Sequence, residues 1–151
     1  MRLAAFLRAA VIPAVIPAAI PVAYAAEFRS VQENAAVLYD APSRAATPVF
    51  VVQRHYPLEV IVNLDAWVKV RDHAGALNWV EKKALGDRRM LLVTSPSAEV
   101  RVRPEDGAPA AFSAAQNVAL ELVEVAPNGW LRVRHADGAA GFVRAAQVWG
   151  D

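Results

Sequence analysis

The residues of this chain that could do chemistry are tryptophans set beside cations, histidines set beside aspartates, and scattered serines. Trp67-Val68-Lys69-Val70-Arg71 and Trp130-Leu131-Arg132-Val133-Arg134 share one alternating pattern. On an extended strand successive side chains point to opposite faces. If Val68 and Val70 turn inward, Trp67, Lys69 and Arg71 share the outer face, and Trp130, Arg132 and Arg134 do the same in the second segment. An indole beside cations offers a flat apolar surface with a polar rim, which suits a saccharide, a peptide or an anion. These six residues are the candidate ligand-binding set. The competing reading is that each indole covers an end of its own core or the junction with the other copy.

His73 beside Asp72 and His135 near Asp137 have the residue types of an oriented imidazole or a metal ligand pair. Both lie in glycine-containing turns, however, where solvated polar residues are ordinary. Ser30, Ser43, Ser95, Ser97 and Ser113 sit in no nucleophile-elbow motif, and no base is placed to converge on any of them. With no cysteine in the chain, a thiol nucleophile, a disulfide, a thiolate metal site and an N-terminal lipidated cysteine are all excluded. No catalytic residue, metal ligand or cofactor is assigned, and the expectation is a non-enzymatic protein.

The two tryptophan segments belong to a longer repeat. Beyond them Gly75 aligns with Gly138, Trp79-Val80 with Phe142-Val143, and Leu85 with Val148. After a one-residue shift upstream, Leu58-Glu59-Val60-Ile61 aligns with Leu120-Glu121-Leu122-Val123, and Pro42 with Pro104. Each copy alternates apolar and polar residues with the period of a half-buried strand. Asp72-His73-Ala74-Gly75 and His135-Ala136-Asp137-Gly138 place a glycine where a hairpin needs positive φ. Glu81 to Leu85 and Arg144 to Val148 read as a short helical turn before a final strand. Five or so short strands per copy imply a small all-β barrel, so the spacing predicts two domains, residues 27–94 and 95–151, joined by a short connection.

Ahead of the repeats, Arg2 and Arg8 precede an uncharged stretch from Ala9 to Ala26 that ends on Ala23-Tyr24-Ala25. A basic start, an apolar middle and small residues before the cut form a secretory signal, with cleavage between Ala25 and Ala26. Pro13, Pro17 and Pro21 disfavour a permanent membrane helix, because each removes a backbone donor and clashes with the preceding turn. A signal peptide over 1–25 predicts a periplasmic or secreted protein with no stable membrane span after cleavage. The formal charge is +1, and without Arg2 and Arg8 the remaining 14 basic residues face 15 acidic ones. No basic excess remains to hold a polyanion, which argues against a nucleic-acid partner.

Val100-Arg101-Val102-Arg103-Pro104, Trp130-Leu131-Arg132-Val133 and Gly141-Phe142-Val143 together resemble the bacterial SH3-like domain, with its valine-arginine opening, Gly-Trp-x-x-Val strand and Gly-Trp-Val strand. The first copy keeps Trp67, Val70, Arg71, Gly75 and Trp79-Val80, and its tail, Leu85 to Val93, resembles the closing segment of an exported subgroup. It departs at the opening, where Leu38-Tyr39-Asp40-Ala41-Pro42 lacks the arginine; the second copy has Glu99 for asparagine and Phe142 for tryptophan. Those departures bear on an inherited ligand site more than on the fold. Ala36 to Asp40 also resembles the opening of proline-recognising SH3 domains, but Glu81-Lys82-Lys83-Ala84 follows the second strand where those domains need a Pro-x-x-Tyr wall. The resemblance implies two tandem SH3-like β-barrels acting as a binding or targeting module in the cell envelope, with peptidoglycan or an envelope protein as partner. The alternatives are a homo-oligomer or docking protein that pairs through exposed strand edges and, ranked last, a small wall hydrolase. Lys82-Lys83 and Arg88-Arg89 read as solvated edges between the two units.

Overall fold

The computed structural model describes residues 25–151. The signal-peptide reading lies outside them apart from Ala25 and Ala26, which are exposed. Among the described residues fourteen strands follow in chain order. Seven belong to the first half: β1 Phe28–Val31, β2 Ala35–Tyr39, β3 Pro48–Gln53, β4 Pro57–Asn63, β5 Trp67–Arg71, β6 Leu77–Glu81 and β7 Leu85–Gly86. The second half contributes β8 Met90–Val93, β9 Ser97–Arg101, β10 Ala110–Ala115, β11 Ala119–Ala126, β12 Trp130–Arg134, β13 Ala140–Arg144 and β14 Val148–Trp149.

They form two antiparallel sheets with the same internal order, β3-β2-β6-β5-β4-β1-β7 and β10-β9-β13-β12-β11-β8-β14. The repeat seen in the sequence is therefore a repeat of topology. Single 3-10 turns, Lys82–Ala84 and Ala145–Gln147, precede β7 and β14 where a helical turn was expected. Gly75 and Gly138 take φ of 90° and 94°, the left-handed backbone that the β5–β6 and β12–β13 turns require. Each sheet has seven strands where about five were expected, because β1, β7, β8 and β14 are only two to four residues long and leave little periodic signal.

Each half buries its own apolar cluster. Val31, Leu38, Leu58, Val68, Val70 and Val80 form the first, and Leu91, Val93, Val100, Leu120, Leu131, Val133 and Val143 form the second. The alternation within β5 and β12 thus aims the valines and leucine inward, as expected. Bulges in β4 at Val60/Val62 and in β11 at Leu122/Glu124 shift the register midway along these longer strands, and a bulge increases local twist.

The boundary between the halves differs from the expected one. Met90–Val93 pairs with β11 and β14, so it opens the second sheet, whereas the expected boundary left it at the end of the first unit. The change of sheet falls at 87–89. Met90 to Val93 is buried at every residue, and a fully buried strand carries no alternation to say which sheet owns it. Across the junction the Phe28 and Trp149 rings meet edge-on at 5.0 Å, Arg89 donates to the Gly150 carbonyl at 2.9 Å, and Ser30 Oγ donates to the Arg88 carbonyl at 2.7 Å. Arg89 is only partly exposed, and its guanidinium lies 5.7 Å from the Phe28 ring. It is a junction residue, a correction to the solvated-edge reading of Arg88-Arg89.

Candidate functional site

In the first sheet, β2, β6 and β5 lie side by side, and their register puts Tyr39, Trp79 and Lys69 in one row. All three are half-buried on the face opposite the core, as is Trp67, whose ring meets Tyr39 edge-on at 5.5 Å. The Lys69 ammonium stands 5.8 Å from the centre of the Trp79 ring. Three aromatic rings and one cation therefore share a single outer surface, each keeping part of its area in water. Arg71 lies one position further along β5, exposed, with its guanidinium 3.0 Å from Glu59.

The loop after β2 borders this surface. Thr47 N–H donates to the Asp40 carboxylate at 3.0 Å, and Arg44 makes a two-point ion pair with Glu81 at 2.5 and 3.2 Å. The hydrogen bonds from Arg44, aided by its charge, hold the Glu81 carboxyl below its usual range.

The same construction recurs in the second sheet with different side chains. The row reads Arg101, Phe142 and Arg132. Trp130 is 3% exposed and has the Arg144 guanidinium 4.2 Å above its ring. Arg144 is itself held by Asp106 at 2.5 Å and by the Asn128 carbonyl at 3.1 Å. The ion pair from loop to strand end is conserved between the halves in position but reversed in sign: Arg44 with Glu81 in one, Asp106 with Arg144 in the other. The reversal puts a cation over the indole of the second half, and the cation closes it off. Arg132 lies 3.8 Å from Glu124, and Arg134 lies 2.8 Å from Glu121.

The structure thus brings Trp67 and Lys69 together with two aromatic residues that the sequence reading did not select as ligand contacts, Tyr39 and Trp79. It does not leave Trp130 an open face. Tyr39 and Trp79 could have been found from the repeat register, which puts them across from Lys69, but only with the strand pairing in hand.

The histidines are separate. His73 Nδ1 lies 2.6 Å from the Tyr56 hydroxyl, and its ring approaches Trp149 at 6.5 Å, so it contributes to the junction while remaining an exposed turn residue. Burial holds the Tyr56 phenol above its ordinary range. His135 lies 3.0 Å from its own turn's Asp137, whose carboxyl is lowered first by the Ala139 amide and then by His135. Among the described residues no group of three His, Cys, Asp or Glu gathers as a metal site would require, and no helix is long and apolar enough to cross a membrane.

The family model described as "Bacterial SH3 domain" matches the chain twice, over residues 32–87 and 94–150. No curated protein matches the sequence. Among solved structures, NlpC1 from Trichomonas vaginalis is similar at 12% identity and a TM-score of 0.40, covering 87% of this chain and 48% of that one. NlpC2 from the same organism is similar at 12% identity and 0.40, covering 85% and 50%. An NlpC/P60 family protein from Bacillus cereus is similar at 19% identity and 0.36, covering 82% and 56%. The chain spans about half the length of these solved structures.

Proposed function

Since the chain belongs to the bacterial SH3 domain family and carries two copies of that domain, we propose that it is a non-enzymatic binding or targeting protein of the cell envelope. Its ligand on this reading is peptidoglycan or an envelope protein. Export by the leader, with a mature start at Ala26, is part of the same proposal. The observation that carries it is the open surface of the first domain, where Tyr39, Trp67 and Trp79 surround Lys69 and no acidic partner occupies the ammonium among the described residues. Half-buried rings are pre-positioned by the sheet, so a sugar or peptide can stack on them with little loss of side-chain freedom. Trp67 and Lys69 are proposed as contacts, with Arg71 as a rim charge balanced by Glu59; Arg132 and Arg134, on the second domain and paired with carboxylates, are left outside the site, and Trp130 is an interior residue.

Co-sedimentation with purified cell wall tests the proposal. Trp67→Ala and Lys69→Ala should reduce binding at least several-fold, and the Lys69 effect should shrink at high salt because an exposed charge is screened. Equal sedimentation of wild type and both variants would remove this surface as the site.

A second reading has its own support. β3 is the outer strand of its sheet, and Val49, Phe50 and Val51 are 52%, 64% and 59% exposed. An open apolar edge is a template for pairing with another chain, and docking there, on a partner or a second copy, is the alternative function. Concentration-dependent light scattering abolished by Phe50→Lys would favour it.

A further inference from the structure

A cavity of about 260 Å³ lies between β1, the β3–β4 turn and the segment leading into β8, and none of the aromatic-surface residues lines it. It is lined by Arg54, His55 and Arg88, by Ser30, Gln32 and Gly86, and by one carboxylate, Asp87. His55 holds φ of 73°, the left-handed backbone of the turn between β3 and β4. Arg54 has no ion-pair or hydrogen-bond partner for its guanidinium among the described residues. Arg88 reaches Glu121 only at 4.0 Å. Asp87, which lines the cavity, is engaged by Arg29 at 2.5 Å, and Glu121 beside it is engaged by Arg134 at 2.8 Å. The result is two guanidinium groups and an imidazole converging without a full counter-charge.

The second domain shows that the common fold does not require this arrangement. At the equivalent positions it carries Gln116, Asn117 and Asp151 in place of Arg54, His55 and Arg88. Asn117 has φ of 67°, so the turn itself is unchanged and only the charges differ. Like charges held together oppose folding unless something is gained, and a planar guanidinium fork matches the oxygens of a phosphate group.

We propose that this cavity is a binding site for a compact phosphate-type anion, held by Arg54 and Arg88 with His55 as a third donor. The site is distinct from the aromatic surface and does not depend on the envelope-binding reading. The His55 imidazole is pushed below its usual range by burial and then by Arg54 and Arg88, with Glu121 acting in the opposite direction. A bound dianion adds negative charge against the same ring and raises its pKa.

The test uses the purified protein titrated with inorganic phosphate and followed by NMR. Saturable shifts at the His55 ring, the Arg54 side chain and the Gly86 amide are expected, together with an upward move of the His55 titration midpoint. Arg54→Gln and Arg88→Gln, which each remove one of the two guanidinium charges, should each weaken binding about tenfold, while Lys82→Ala, an exposed cation elsewhere, leaves it unchanged. Glycerol phosphate distinguishes a monoester from the free ion, and vesicles of anionic lipid distinguish a membrane headgroup from both. Absence of saturable shifts, or equal weakening by Lys82→Ala, overturns the proposal. Because Arg54 and Arg88 are exposed, melting temperatures matching wild type verify that the variants are folded.

Discussion

Trp67 and Trp130 occupy the same place in the two copies, yet one indole is partly exposed and the other is 3% exposed beneath a guanidinium. One substitution experiment separates them. Trp130→Ala should cost about 3–5 kcal/mol, the usual penalty for truncating a buried large aromatic, and chemical denaturation will measure it. Trp67→Ala should cost clearly less and act on binding. Arg144→Ala removes the cation over Trp130 and should destabilise by about 1 kcal/mol, within the range for a partly desolvated cation–π contact. It should also shift Trp130 fluorescence to the red as water reaches the ring. His55 gives a pH dependence. Its pKa is lowered by folding, so the unfolded chain binds the proton more readily and the native state is favoured above the unfolded value near 6.5. That stability falls as pH drops from there toward the lower folded value. His55→Asn, which copies Asn117 and tolerates the positive φ, should flatten the decline in melting temperature between about pH 7 and 5.

At the scale of elements, the sequence made the central strands legible and the outer ones obscure. Val68 and Val70 alternate with Lys69 and Arg71 because β5 has one wet face and one dry face, and that alternation is visible in any such strand. Met90–Val93 is dry on both faces, so its residues signal a strand but not its sheet, and only its pairing with β11 and β14 assigns it to the second domain. Trp149 carries no repeat signal because the register aligns it with Gly86, and its role arises only where the two sheets meet. The burial of Trp130 was illegible for a related reason: it depends on Arg144 and Asp106, which a loop brings together from 38 residues apart. Gly141 illustrates how tightly β13 and β9 approach. A Cβ there would stand 2.6 Å from the Arg101 carbonyl oxygen and 2.8 Å from Val100 Cγ1. Gly141→Ala should therefore destabilise by about 1–3 kcal/mol through overpacking. Gly107→Ala, where a Cβ meets nothing within 4 Å, should be close to neutral in the same melting assay.

At the scale of the molecule, duplication has produced two copies of one topology whose surfaces have diverged. The first domain has the open aromatic row and the basic cavity; the second has a capped indole and neutral or acidic residues at the corresponding places. Each copy is close to the size at which a single core is marginal, and the Phe28–Trp149 and Arg89–Gly150 contacts tie the two together. The central claim is that the protein binds the cell envelope through the first domain. Its most direct measurement is co-sedimentation of the purified protein with purified cell wall, run side by side on wild type, Trp67→Ala and Arg132→Ala. Wild type and Arg132→Ala should sediment with the wall, while Trp67→Ala stays largely in the supernatant with a native melting curve. Wild type left in the supernatant, or Trp67→Ala sedimenting as wild type does, would contradict the account.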